Sequence, residues 1–309
     1  MLKALLKSQE RSMIHVQQTK DDQGVHVYDI IRDFMMNAPD NTLRNETGES
    51  AWDEPLVGFS RGDDPLYRQF KNEIGEFFWT PAEIFRITFN AEPSALTVIS
   101  WVLPQTKATR ADNRKAKTYP SERWSRSRLY GEQANVALAQ HVVARLREAG
   151  IRAVAPEHSP LWQWQMSEHF GIASNWSNRH AAYAAGLGTF GLCDGLITAR
   201  GKAMRCGSVV AGIDIQPTPR LYSNHRAYCL FYAQNGKCGK CIPRCPAGAL
   251  SRKGHDKLKC RNYLFDVLAD YAQSHYGFSS YGCGLCQTGV PCEFRIPLKM
   301  EEAPSSQAG

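Results

Sequence analysis

The sequence has 309 residues, 43% of them hydrophobic and 22% charged, with ten cysteines and a formal net charge of +7. That balance is ordinary for a soluble globular chain, long enough for one sizeable core and a small appended module. No run of eighteen apolar residues occurs, so a membrane-spanning helix is not expected, and the positive charge points to an anionic partner such as nucleic acid, a phosphorylated cofactor or an acidic electron carrier.

At the start, MLKALLKSQERSM places Lys7 and Arg11 where the apolar region of an export signal would run, so a cytoplasmic location is expected. Residues 1–53 read as a polar, irregular segment, and VGFSRGDDP from Val57 as a turn-rich lead into the first folded domain, which spans 54–222. In WTPAEIF, Thr80 is placed as a helix cap, Pro81 at the first helical position and Glu83 three after the cap. ALTVISWVLP at 95–104 is β-branched and apolar, the pattern of a buried strand. Between 106 and 130 eight Lys/Arg face only Asp112 and Glu122, interleaved with Tyr119, Trp124 and Tyr130; the stretch reads either as a solvated loop or as an anion-binding surface. From Arg126 to Ala149, Leu138, Val142 and Leu146 recur every four residues, predicting an amphipathic helix closed by Gly150. IRAVAP follows as a short strand, then a helix over Asn178–Ala185, and DGLIT and RCGSVVAGIDI read as strands joined by the ARGKA turn. This alternation predicts an α/β domain.

Gly186, Gly188 and Gly191 in AGLGTFG permit either a tight turn or a close backbone approach to a cofactor, without the strand–turn–helix context of a dinucleotide fingerprint. His158, His169, His180 and His225 lack metal-ligand spacing and read as ordinary packed or surface residues. Cys193 and Cys206 read as small buried residues.

The other eight cysteines fall after residue 228, marking a second module at 223–297 ahead of a tail, 298–309, expected to be disordered. Cys238, Cys241 and Cys245-Pro246 have the spacing C-x2-C-x3-C-P, one cysteine short of the C-x2-C-x2-C-x3-C-P run of two-cluster ferredoxins. Asn235 stands at the missing position, and Cys229 is the available substitute. With Cys260, Cys283, Cys286 and Cys292 the count is eight thiolates, enough for two [4Fe–4S] clusters. Lys237, Lys240 and Arg244 could offset cluster charge, and Leu264, Leu268 and Tyr271 form an apolar stripe able to cover one cluster. Two zinc ions fit the same count, and disulfides are a third alternative.

The order CGKCIPRCPAGAL, KLKCRNYL and YGCGLC, preceded by AAYAAGLGTFGLCDGLIT and RCGSVV, resembles the epoxyqueuosine reductase family, related to the reductive dehalogenases. The resemblance covers roughly 90–295 and is specific from 181 onward. It implies an α+β architecture in which an α/β, cobalamin-module-like domain precedes a ferredoxin-like module with two [4Fe–4S] clusters. By it, Cys245, Cys260, Cys283 and Cys286 would hold the cluster nearer the cofactor, and Cys238, Cys241, Cys292 and Cys229 the outer one. Gly186, Gly188, Gly191 and Ser208 would line the cofactor, a cobalamin. A low-potential donor of ferredoxin or flavodoxin type would supply electrons for a small-molecule or tRNA substrate. The sequence departs from the family at Leu192, where a lysine is usual, and at Gln133, the place of the proton-donating aspartate; the closing spacing to Cys292 is two residues longer. Glu132 and Tyr130, which flank that place, are the candidates for proton delivery, and a different substrate is expected. The tRNA-gripping C-terminal extension of many members is not expected after Pro297. An electron-transfer or sensor protein without a catalytic cofactor, and a zinc-based nucleic-acid binder, are the alternative functions.

Overall fold

The computed structural model describes residues 22–298, so the readings of 1–21 and of the tail from 299 lie outside the described residues. Within the segment expected to be irregular, Asp22–Asn37 forms a helix, α1. The expectation fails because Val27, Ile31 and Met35, four apart, make a stripe that is buried with Leu138 and Val142. The turn-rich stretch at Val57 is likewise a strand, β1 (Leu56–Arg61). Gly58 and Ser60 break its apolar alternation, yet both are consumed inside: Ser60 Oγ lies 2.8 Å from the Tyr67 hydroxyl.

After β1 come α2 (Pro65–Ile74) and α3 (Pro81–Phe89). The α3 start is the expected capping box, Thr80 and Glu83 each accepting from the other's backbone N–H. Strand β2 (Thr97–Pro104) is buried along its whole length. Helices α4 (Lys107–Lys115) and α5 (Glu122–Glu148) take up most of the basic stretch, which is therefore not a plain loop. Several of its arginines are paired: Arg114 with Glu293, Arg123 with Glu49 and Asp112, Arg126 with Glu122, and Arg128 with Glu132.

Strand β3 (Ala153–Val154), hairpin β4–β5 (Trp164–Ser167, Gly171–Ser174), α6 (Asn178–Ala184), hairpin β6–β7 (Gly188–Phe190, Leu196–Thr198) and β8 (Met204–Ala211) follow. The main sheet has the order β1-β2-β8-β3, and every pairing in it is antiparallel. The mixed α and β content matches expectation, but the parallel sheet implied by strand–helix alternation is not formed. Alternation along the chain does not fix spatial order, and β8 inserts between β2 and β3. Helices cover both faces. Ile99, Trp101 and Val209 face α1 and α5, while Val98, Val102 and Val210 face the side of α6 with Phe70, Phe78 and Trp176. The Trp101 indole donates to Asn135 Oδ1 at 2.8 Å and lies on Gly207, where a Cβ would come within 2.3 Å of the ring.

Beyond Tyr228 the elements are short: α7 (Leu230–Ala233), β9 (Leu250–Ser251), β10 (Gly254–His255), α8 (Lys257–Asn262), a π-helical turn at Tyr263–Leu268 and α9 (Ala269–Tyr276). Their core is small and rich in sulfur, with Cys193, Cys229 and Cys241 buried beside Leu192, Ile197, Leu250 and Val290. Hairpin β6–β7 thus bridges the two regions: Ile197 packs with the cysteine module, while Leu196 and Phe190 pack in the cluster with Val98, Val102 and Val210 of the sheet. Among the described residues no helix is long and apolar enough to cross a membrane.

Candidate metal centre

The turn of hairpin β6–β7 carries Cys193 inward. It is closed by the Gly191 N–H donating to Gly195 O at 2.8 Å, with Asp194 in the left-handed region at φ +55. Lys202, four residues beyond the end of β7, is only 2% exposed and points its ammonium at Cys193 Sγ, 3.3 Å away. Burial alone would push the Lys202 ammonium down. The charges of Cys193, Cys292, Cys286 and Cys241 outweigh it and hold the group well above its ordinary range. In turn, hydrogen bonding from Cys286, aided against burial by Lys202, draws the Cys193 thiol well below its usual value. Burial pushes Cys241 up to about 12. Cys229, at the N-cap of α7, acts on both Cys241 and Cys292.

A second group gathers Cys245, Cys260 and Cys283. Burial lifts Cys283 to about 12, against the Leu285 N–H, and the charges of Cys260 and Cys245 add to the rise. The Ala249 N–H donates to Cys245 Sγ at 3.3 Å. His255 hydrogen-bonds Asp194 Oδ2 at 3.1 Å and Cys260; burial opposes its protonation, but these two partners raise it to about 10. Cys286 lies between the groups, bonded to Cys193 and within the field of Cys283. Cys238 is half-buried on the same C-x2-C turn as Cys241 and is not among the four thiols acting most strongly on Lys202. Among the described residues no three His, Cys, Asp or Glu side chains are drawn tightly enough to hold a single metal ion.

The thiol-bearing loops are fastened to the sheet domain by buried charge. Arg244, expected to offset cluster charge, donates to the carbonyls of Leu285 (3.1 Å), Thr288 (3.0 Å), Ala116 (2.8 Å) and Asn113 (3.0 Å), tying the loops to the end of α4. Glu293, 1% exposed, accepts from Arg114 at 2.5 Å and from the Gly289 N–H at 2.7 Å. Next to it, the Lys202 N–H donates to Cys292 O at 2.8 Å.

On the other side of Cys283, residues Arg128, Glu132, Gln133, Ser279, Ser280 and Tyr281 help line a cavity of about 330 Å³ against α5. Glu132 pairs with Arg128 at 2.8 Å and with Arg205. Burial would raise its carboxyl, but Arg205, Arg128 and Asn135 hold it below the usual carboxylate range. Near neutral pH it is an anion, which accepts protons and does not deliver them. Tyr130 instead lies beneath the Arg44 guanidinium, 4.9 Å from its ring centre.

The remaining expected residues are engaged within the chain. A Cβ at Gly188 would meet Ile197 O at 2.3 Å, and one at Gly186, whose φ is +77, would meet Pro219 O at 2.7 Å; Gly191 packs on Ile197. Ser208 Oγ donates to Asn178 Oδ1 at 2.6 Å and accepts from the Trp176 indole at 3.0 Å. Leu192, at the family's lysine position, is buried. His180 is packed among Phe70, Phe78 and Phe190, and burial depresses it to about 3. Cys206, also pushed by burial to about 12, is a packed thiol as expected. Cys193 is buried as expected, and its sulfur also accepts from Lys202, a contact that cysteine spacing does not disclose.

No protein-family model matches the chain. Over 137 residues it is 30% identical to an epoxyqueuosine reductase of Bacillus anthracis, an alignment taking in 41% of this chain and 33% of the relative. The match thus spans about a third of the curated relative's length. Among solved structures, an epoxyqueuosine reductase from Bacillus subtilis aligns over 86% of this chain and 66% of its own, at 17% identity and a TM-score of 0.45. A catabolic reductive dehalogenase aligns over 90% of this chain and 38% of its own, at 14% identity and a TM-score of 0.47. Over that third of their length the chain is similar in sequence to the epoxyqueuosine reductases.

Proposed function

We propose that the chain is an oxidoreductase whose cysteine module holds two [4Fe–4S] clusters that carry electrons to a substrate in the cavity against α5. The observation that carries this reading is a buried ammonium ringed by sulfur. Removing a lone ammonium from water costs several kcal/mol unless anions neutralise it. Around Lys202 the nearest candidates are Cys193, Cys292, Cys286 and Cys241. Neutral thiols supply no such charge, and crowded free thiolates would repel one another; a thiolate-ligated iron–sulfur cluster, net negative, supplies the charge and holds the sulfurs together.

The donor set fits that group: soft thiolates, two of them receiving backbone N–H bonds from Leu285 and Ala249. Cys245, Cys260, Cys283 and Cys286 would hold the cluster nearer the cavity, and Cys238, Cys241, Cys292 and a fourth cysteine the outer one. When bound, the clusters supply one-electron transfer from a low-potential donor of ferredoxin or flavodoxin type.

The same test goes against a corrinoid. Gly186, Gly188, Gly191 and Ser208, which would line it, are filled or bonded by the chain itself. No step is therefore routed through one. In the cavity Arg128 and Gln133 would orient a small polar substrate, while ionised Glu132 would hold Arg128 and Arg205 in place. An electron carrier without a substrate is the rival reading, favoured by Gln133 and the anionic Glu132 at the proton-donor position.

Protein purified without oxygen should bleach in the visible when a low-potential donor is added and recolour when a matching small-molecule acceptor is supplied. Recolouring that survives unchanged when Gln133 and Arg128 are both replaced by Ala would favour the carrier. Absence of any visible chromophore would overturn both.

A further inference from the structure

We propose that Cys193, on the hairpin between β6 and β7, supplies the outer cluster's missing thiolate in place of Cys229, with Lys202 as its fixed countercharge. The inference rests on the iron–sulfur reading above and names a ligand within it. Asn235, which stands where the cysteine run loses its first member, is exposed and in the left-handed region at φ +49, so its side chain gives no soft donor to the interior. Cys193 is buried at 6% exposure in one cluster with Cys241, against which Cys286 and Cys292 pack, and its sulfur accepts from the Lys202 ammonium at 3.3 Å.

The hairpin holds this sulfur in place before any metal binds. Phe190 and Leu196 pair across its neck, and the Asp194 N–H donates to Gly191 O at 3.0 Å. Gly195 lets the Lys202 stem cross the turn: an added Cβ would sit 3.2 Å from Lys202 Cγ and Cδ and 3.4 Å from Cys193 Sγ. Lys202 is anchored in turn by its N–H to Cys292 O. Its ammonium reaches back to the sulfur of Cys193. Cys229 lies in the same buried cluster but at the start of a four-residue helix, whereas the Lys202 ammonium bonds the Cys193 sulfur. The outer cluster would then be tied to the hairpin as well as to its own loops.

The test counts iron and records EPR spectra of reduced, anaerobically purified wild type, Cys193→Ala, Cys193→Ser and Cys229→Ala. Two clusters require about eight iron atoms per chain. Cys193→Ala should lose up to half of them or show a three-iron signal, with the second cluster's signal persisting as the control for folding. Cys193→Ser, which offers an oxygen ligand, should retain more iron with a shifted spectrum, and Cys229→Ala should match wild type. Full iron and an unchanged spectrum in both Cys193 variants would overturn the assignment, as would loss in Cys229→Ala equal to that in Cys193→Ala. A wild-type chain without iron would instead overturn the function on which the assignment rests.

Discussion

Strands β2 and β8 share an eight-residue antiparallel ladder and bury side chains on both faces, whereas among the described residues no strand after Tyr228 exceeds two residues. The sheet is held by large apolar groups such as Trp101, Ile99 and Phe78; the cysteine module has few, and its loops hang on Arg244, Glu293 and sulfur. A hydrophobic core is enough to order the first region by itself. The second cannot bury enough apolar surface, so its order should depend on what its thiolates hold.

The sharpest way to break that comparison is anaerobic chelation of the metal followed by amide hydrogen exchange. Residues 236–249 and 283–293 should lose their protection while β2 and β8 keep theirs; equal protection with and without metal would show that the loops need no metal. The converse perturbation is Trp101→Ala, expected to cost about 3–5 kcal/mol in denaturant unfolding while leaving the iron content of the folded fraction unchanged. The smallest effect is electrostatic. Hydrogen bonding by Arg123, against slight burial and aided by Asn45 and Thr47, holds the Glu49 carboxyl at about 2, below its ordinary 4.5. Its contribution is therefore present above about 4.5 and fades as pH falls toward 2. Because the pair is still reached by solvent, Glu49→Gln should remove only about 1 kcal/mol of stability from that acid limb, read from unfolding at pH values from about 5 to about 2.

The two regions also differ in how far the sequence discloses them. The α3 cap was legible because Thr80, Pro81 and Glu83 act over three residues, and β2 because a run from Thr97 to Pro104 has no polar face to hide. Helix α1 was obscured because Val27, Ile31 and Met35 are diluted by polar neighbours, and β1 because Gly58 and Ser60 are used internally. The insertion of β8 between β2 and β3 depends on contacts between distant segments, which local periodicity does not carry. For the same reason the basic run at 106–130 did not disclose that Glu49 and Glu293 would pair with it. In the candidate site, C-x2-C spacing marks the cysteines after 228. Cys193 and Lys202 come from the other part of the chain, and only folding brings them there.

The most direct test of the account is the count of iron, acid-labile sulfide, zinc and cobalt per chain in protein prepared without oxygen. About eight iron and eight sulfide, with neither zinc nor cobalt in stoichiometric amount, is the predicted result. Two zinc ions per chain, or a chain carrying no metal with Lys202 still buried among its sulfurs, would contradict it.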